Sequence, residues 1–271
     1  MRVCKAGNVQ TLTRDPLVIA GQPLDSRLFL GTGKYRTNEE MVAALDASGC
    51  EVVTVALRRL DLDHPDQPTI LDAIDWKRYR ILPNTAGCRT ADEAIRIARL
   101  ARSLGLSDWV KLEVIPDPRY LLPDAEETLR AARTLIAEGF VVLPYINADP
   151  VLAKKLEEAG TATVMPLGSP IGSGQGLVTI EQIKIIIENA RVPVVVDAGI
   201  GAPSDAALAM ELGADAVLVN SAVALAQRPA LMAEAIRMAV EAGRKGWLAG
   251  RIPRLPQGSA SSPTEGVSRG S

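Results

Sequence analysis

The chain has 271 residues, 47% of them hydrophobic and 23% charged, with a formal net charge of −2. That is the composition of an ordinary globular α/β domain, and the length suits one eight-fold β/α barrel, which needs about 250 residues. Near-neutral charge without a stripe of Lys and Arg argues against nucleic acid as the main partner, because Arg58-Arg59 and Lys154-Lys155 stand as isolated pairs.

In chain order, Leu17–Ile19 reads as an extra strand beneath a barrel, and Arg27–Gly31 as the first barrel strand. Thr37 can cap a helix, with Glu40 as its capping-box partner and Met41, Val42 and Leu45 on one face. Glu51–Leu57 is β-branched and forms the second strand; Thr69–Ile74 reads as a short helix, and Arg80–Pro83 as the third strand, ending at Asn84. Thr90 and Glu93 open an amphipathic helix that Gly105 closes. Trp109–Ile115 is the fourth strand, and Asp124 opens a helix to about Glu138. Val141–Tyr145 is the fifth strand, and Asp149-Pro150 supplies a cap and first-turn proline for the next helix. Thr161–Met165 is the sixth strand, followed by a Gly-rich loop and a helix over Thr179–Asn189. Pro193–Asp197, a helix over Pro203–Leu212, Ala216–Asn220 and a last helix over roughly Ala230–Ala242 complete the series.

Eight strands, each followed by helical sequence, predict a single α/β (β/α)8 TIM barrel. A Rossmann-like open sheet is the runner-up, but Arg36 stands where the third glycine of a G-x-G-x-x-G turn would follow Gly31-Thr32-Gly33-Lys34. The expected division is an N-terminal extension over 1–15, the barrel over 16–250 and a disordered Gly/Ser/Pro-rich tail over 251–271.

The chemistry available is narrow. Cys4, Cys50 and Cys88 are widely spaced, without a C-x-x-C pair, so neither a disulfide framework nor a zinc site is expected. His64 is the only histidine and falls in a turn-like Asp63-His64-Pro65-Asp66. Acid–base work therefore falls to Asp, Glu or Lys, and no metal or cofactor is expected. No signal-peptide pattern and no apolar run of about 18 residues is seen, which predicts a cytoplasmic protein without a membrane partner.

Within the fourth strand, Lys111 and Glu113 are two positions apart, so they share a face about 6.6 Å apart along the strand. Buried Lys and Glu are costly unless paired or functional. A structural ion pair, a wet edge strand and an amine poised for imine chemistry all fit this pattern. Asp197 ends the seventh strand, as a helix cap or as a functional carboxylate. Barrel sites lie at the C-terminal ends of strands, and phosphate is often held by the loops after strands seven and eight, here Ala198-Gly199-Ile200-Gly201 and Asn220-Ser221. The glycines of Gly168–Gly176 suit a mobile lid, a second anion contact or a plain flexible connection.

The blocks R-L-F-L-G-T-G-K-Y (27–35), L-P-N-T-A-G-C (82–88), K-L-E-V-I (111–115), P-L-G-S-P-I-G-S-G-Q-G (166–176), V-V-D-A-G-I-G (195–201) and V-L-V-N-S-A-V-A (217–224) occur in this order. Together they resemble the thiazole synthase family of thiamine biosynthesis. The resemblance implies a barrel enzyme that forms the thiazole phosphate ring. Its substrates would be 1-deoxy-D-xylulose 5-phosphate, dehydroglycine (iminoacetate) and sulfur from a carrier protein with a C-terminal thiocarboxylate. It implies Lys111 as the Schiff-base lysine, Glu113 and Asp197 as acid–base carboxylates, and Gly172, Ala198, Gly199, Asn220 and Ser221 as sugar-phosphate contacts. It also implies a dehydroglycine-producing enzyme as partner and a homo-oligomer, tetramer or dimer. A Schiff-base aldolase or phosphosugar isomerase on the same barrel is the alternative activity, and a phosphosugar-binding scaffold the non-enzyme alternative.

Overall fold

A computed structural model of the chain describes residues 15–57, 70–259 and 261. The order of elements is β1 (Leu17–Ile19), β2 (Gln22–Leu24), β3 (Leu28–Gly31), α1 (Asn38–Ser48), β4 (Val52–Ala56), β5 (Arg80–Asn84), α2 (Ala91–Ser103), β6 (Trp109–Leu112), α3 (Ala125–Ala137), β7 (Val141–Ile146), α4 (Pro150–Ala159), β8 (Met165–Pro166), α5 (Ile180–Asn189), β9 (Val195–Asp197), α6 (Pro203–Glu211), β10 (Ala216–Val219), α7 (Ser221–Ala224) and α8 (Pro229–Ala249). The strands β3 to β10 form one eight-stranded sheet in the order β8-β7-β6-β5-β4-β3-β10-β9, with parallel pairing throughout. Parallel bridges Val164–Val194 and Leu167–Asp197 join β8 to β9 and close the cylinder. The (β/α)8 barrel is therefore the fold.

The two-residue period of each strand sorts its side chains. Phe29, Val52, Leu82, Trp109, Leu143 and Val195 pack inside the barrel, where Leu17, Ile19 and Leu24 of the β1–β2 hairpin join them. The expected extra strand is thus half of an antiparallel hairpin that plugs the barrel floor. Arg27, only 8% exposed, fastens the hairpin side by donating from Nη1 to the Asp215 carbonyl and from Nη2 to the Asp15 carbonyl. The neighbouring residues, such as Leu30, Val53 and Val110, face the helices.

The predicted caps form. Thr37 Oγ1 accepts from Glu40 N–H at 3.2 Å, Thr90 Oγ1 from Glu93 N–H at 3.3 Å, and Asp124 Oδ1 from Glu127 N–H at 2.9 Å. Asp149 Oδ1 accepts from Val151 and Leu152 ahead of α4. Each cap satisfies an N–H left open by the helix, commonly worth about 1 kcal/mol.

Several boundaries differ from expectation. The fourth strand stops at Leu112, because the Thr85 side chain intervenes: its Oγ1 accepts from Glu113 N–H and donates to the Glu113 carbonyl, both at 2.7 Å. The sixth strand begins late, at Met165, where pairing with Tyr145 starts; Thr161 instead follows the left-handed Gly160 that ends α4. The helix expected from Thr179 begins at Ile180, and the Thr179 hydroxyl donates to the Leu167 carbonyl. The last helix is longer, reaching Ala249, and Ile70–Ala73 is a single 3-10 turn. Residues 251–259 and 261 carry no regular structure. His64, Arg58-Arg59, Cys4 and most of the expected extension and tail lie outside the described residues. Among the described residues, no helix is long and apolar enough to cross a membrane.

Candidate active site

The C-terminal ends of the strands surround a cleft of about 590 Å³. Lys111, Glu113 and Asp197 line its base, and Gly172, Ala198, Gly199, Asn220 and Ser221 line it as well. All eight residues singled out from the sequence therefore converge on one cavity, along with Asn84.

Lys111 is 5% exposed, Glu113 5% and Asp197 2%. Lys111 Nζ lies 2.5 Å from Asp197 Oδ2 and 3.3 Å from Glu113 Oε1. Asp197 Oδ2 is thus the nearer of the two carboxylate oxygens to the ammonium. The sequence paired Lys111 with Glu113; barrel closure adds Asp197, 86 residues away on β9, as the nearer partner. A wet edge strand is ruled out, because β6 pairs on both sides and is buried throughout.

The three groups set one another's charge. Burial pulls the Lys111 ammonium down, but the carboxylates of Asp197 and Glu113 outweigh it and hold its pKa above the ordinary lysine value. Burial raises the Glu113 carboxyl; Lys111 pulls it back, Asp197 pushes it up again, and it ends above the usual carboxylate range. The resting centre thus holds an ammonium beside a carboxylate with an enhanced appetite for a proton. Tyr145 closes one side, its ring centroid 5.6 Å from Lys111 Nζ and its hydroxyl 3.4 Å from the Leu121 carbonyl. Burial, followed by the charges of Asp197 and Glu113, raises the phenol far enough that it stays neutral.

The loop after β9 is tightly built. Ala198 and Gly199 both take positive φ, +62° and +82°. A Cβ on Gly199 would sit 2.1 Å from Ser169 Oγ and 2.5 Å from Ser169 N, so only glycine fits against the loop after β8. Ser169 is fully buried and its Oγ lies 3.1 Å from Ser173 Oγ. The next turn is pinned by Asp205 Oδ2, which accepts from Gly201 and Ala202 N–H at 2.9 and 3.0 Å. Asn220, with its amide oriented to donate, reaches the carbonyls of Gly31 at 3.2 Å and Gly33 at 2.9 Å, tying the eighth strand's end to the first strand's loop. Gly168–Gly176 belongs to this packed set, with Gly176 N–H donating to the Gly199 carbonyl.

Sequence reasoning missed Thr85, Tyr145 and Lys34. Tyr145 gave no signal beyond an aromatic on a strand, and Thr85 none beyond a hydroxyl after one. Lys34 did sit in the loop after the first strand, within a glycine pattern set aside as a poor nucleotide motif. Among the described residues no cluster of three or more His, Cys, Asp or Glu could hold a metal.

The profile of the family described as ThiG, Thiazole biosynthesis protein ThiG, matches residues 18–263. The chain is 63% identical to the thiazole synthase of Syntrophobacter fumaroxidans over 94% of its own length and 99% of the relative's. It is also 63% identical to the bifunctional protein ThiO/ThiG of Nostoc sp., covering 93% of itself but about 40% of that longer protein. Among solved structures, a chain of the Amycolatopsis orientalis BexX/CysO complex superposes with a TM-score of 0.80 at 35% identity, over 90% of this chain and 100% of that one. With a profile match across the barrel and high identity to relatives matched end to end, the chain belongs to the ThiG family, the thiazole synthases of thiamine biosynthesis.

Proposed function

We propose that this cleft assembles the thiazole phosphate ring from 1-deoxy-D-xylulose 5-phosphate, dehydroglycine and sulfur delivered by a carrier protein ending in a thiocarboxylate, through an imine on Lys111. The observation that carries the reading is one buried amine between two carboxylates, in the same cleft as the glycine-rich loops after β8 and β9 and the Asn220-Ser221 turn after β10. The residues alone suit an aldolase or phosphosugar isomerase equally; membership of the ThiG family selects thiazole synthesis.

The first step follows from the charges. Lys111 passes a proton to Glu113, whose carboxyl is raised and lies 3.3 Å away. The freed Nζ lone pair adds to the sugar ketone carbon, and the amine proton moves to the carbonyl oxygen. That oxygen takes the second proton from Glu113 and leaves as water, so the positive charge ends on the imine nitrogen. Asp197, 2.5 Å from the same nitrogen, stabilises that charge and is placed to take the proton from the adjacent carbon, giving an enamine. The carbonyl then migrates along the sugar and the carrier's thiocarboxylate sulfur adds to it. The acyl group shifts from sulfur to the carbonyl-derived oxygen, the carrier leaves as its carboxylate with the sulfur kept on the sugar, and condensation with dehydroglycine closes the ring with loss of water. Gly172, Ala198, Gly199, Asn220 and Ser221 anchor the phosphate throughout, an advantage of proximity.

The BexX/CysO complex, in which a related barrel is bound to a second protein, supports docking of a protein partner at such a fold. A dehydroglycine-producing enzyme, a tetrameric or dimeric assembly, a cytoplasmic setting and the division 1–15, 16–250 and 251–271 belong to the same proposal. Borohydride added with the sugar phosphate should fix a stable mass on the peptide carrying Lys111, and the thiocarboxylate carrier should divert the trapped species. An unmodified Lys111 with label on another residue overturns the imine.

A further inference from the structure

The cleft's lining residues, among those described, include two cations, Lys111 and Lys34. Lys111 is occupied by Asp197 and Glu113. Lys34 is different: it is exposed at the rim, and its Nζ donates to a neutral hydroxyl, Ser221 Oγ, at 3.1 Å. The same ammonium lies 3.0 Å from the Cβ position of Gly172. One flexible side chain from the loop after β3 thus meets the loops after β8 and β10, and among the described residues no lysine or arginine besides Lys34 and Lys111 lines the cleft.

The backbone adds a second observation. Lys34 takes φ +71°, a left-handed conformation that costs a side-chain-bearing residue on the order of 1 kcal/mol. Glycine or asparagine would adopt it with less strain. A strained lysine in a loop that already holds Gly33 is a costly way to build a turn, and its result here is an ammonium aimed across the cleft at Ser221 and Gly172.

We propose that Lys34 is the phosphate-recognising cation of this cleft: it pairs with the sugar's phosphate dianion and determines the preference for phosphorylated over unphosphorylated substrate. This rests on the sugar-phosphate reading above. Backbone N–H groups and glycines shape an anion site, but they carry no net charge to match a dianion, and Lys111 is neutralised by its own carboxylates. Lys34 Nζ donates to Ser221 Oγ. With substrate bound, the phosphate replaces that hydroxyl as its partner, and Ser221 Oγ is released to donate to the same anion.

The test is borohydride trapping at Lys111, titrated with 1-deoxy-D-xylulose 5-phosphate and separately with unphosphorylated 1-deoxy-D-xylulose. Lys34→Asn and Lys34→Gly remove the amine while suiting the left-handed backbone, and Lys34→Arg keeps the charge. Half-saturation by the sugar phosphate should rise by about tenfold or more in Lys34→Asn and Lys34→Gly, as loss of one charged hydrogen bond implies. Lys34→Arg should recover most of it, and the unphosphorylated sugar should respond little in any variant. Inorganic phosphate should compete with the sugar phosphate in the wild type and lose most of that effect in Lys34→Asn. Unchanged sugar-phosphate half-saturation in both neutral variants overturns the inference, as does an equal shift with the unphosphorylated sugar. Absence of Lys111 trapping in the wild type instead sinks the parent reading.

Discussion

Lys111 resolves a conflict that its sequence neighbourhood poses. An imine-forming lysine needs a free amine, yet its two carboxylates favour the ammonium. In the proposed imine step the proton need not leave the site, because Glu113 is itself displaced toward protonation and stands 3.3 Å from Nζ. The same shift links the site to stability. A carboxyl raised in the folded protein keeps its proton to higher pH than in the unfolded chain. Its stabilising contribution is full below the unfolded value near 4.5 and is lost as pH rises through the folded value. Glu113→Gln removes that loss, so the melting temperature of the variant relative to wild type should climb from acid to mildly alkaline pH. Trapping at Lys111 should slow at the same time. Melting curves of the two proteins that stay parallel from about pH 4 to pH 8 would refute the raised carboxyl.

At the scale of elements, the loops after β8 and β9 behave as one packed unit. Gly199 sits so close to Ser169 that even a methyl group meets the Ser169 backbone at 2.5 Å. Gly199→Ala should therefore destabilise the protein by about 2–4 kcal/mol, combining backbone strain with overpacking, and should weaken sugar-phosphate trapping through displaced loops. Denaturant melts check the first part; a variant as stable as wild type would show that the loops are not interlocked. A loss of binding in a bulkier variant such as Gly199→Val consequently reports loop geometry as well as phosphate contact. The β6 terminus shows the same economy: Thr85 ends the ladder with its hydroxyl and, in doing so, sets the backbone of Glu113.

Over the whole molecule, stability and chemistry are placed at opposite ends of the barrel. The β1–β2 hairpin drives Leu17, Ile19 and Leu24 into the floor, whereas the charged triad and the glycine-rich loops after β8 and β9 occupy the other mouth. Ile19 is fully buried, and Ile19→Ala should cost about 2–5 kcal/mol while leaving Lys111 trappable by the sugar phosphate below its lowered melting temperature. Thermal melts and trapping on one preparation test this; loss of trapping at unchanged stability would mean that the plug acts on the site directly.

Sequence alone determined the alternation of eight strands and helices, the four helix caps and the convergence of Lys111, Glu113, Asp197 and the glycine loops on one face. These follow from local rules: two-residue alternation, side-chain capping, and the placement of strand ends on one mouth of a parallel barrel. The ThiG family blocks were legible for the same reason, as short runs read in order. Only tertiary structure decided that Asp197 lies nearer to Lys111 than Glu113 does, because that contact depends on how far β6 and β9 stand apart around the closed cylinder. It also decided the early end of β6, the late start of β8, the hairpin plug and the reach of Lys34 to Ser221. Each depends on partners far apart in the chain, whose distances are set by the strand register and barrel closure and are not encoded in any local stretch.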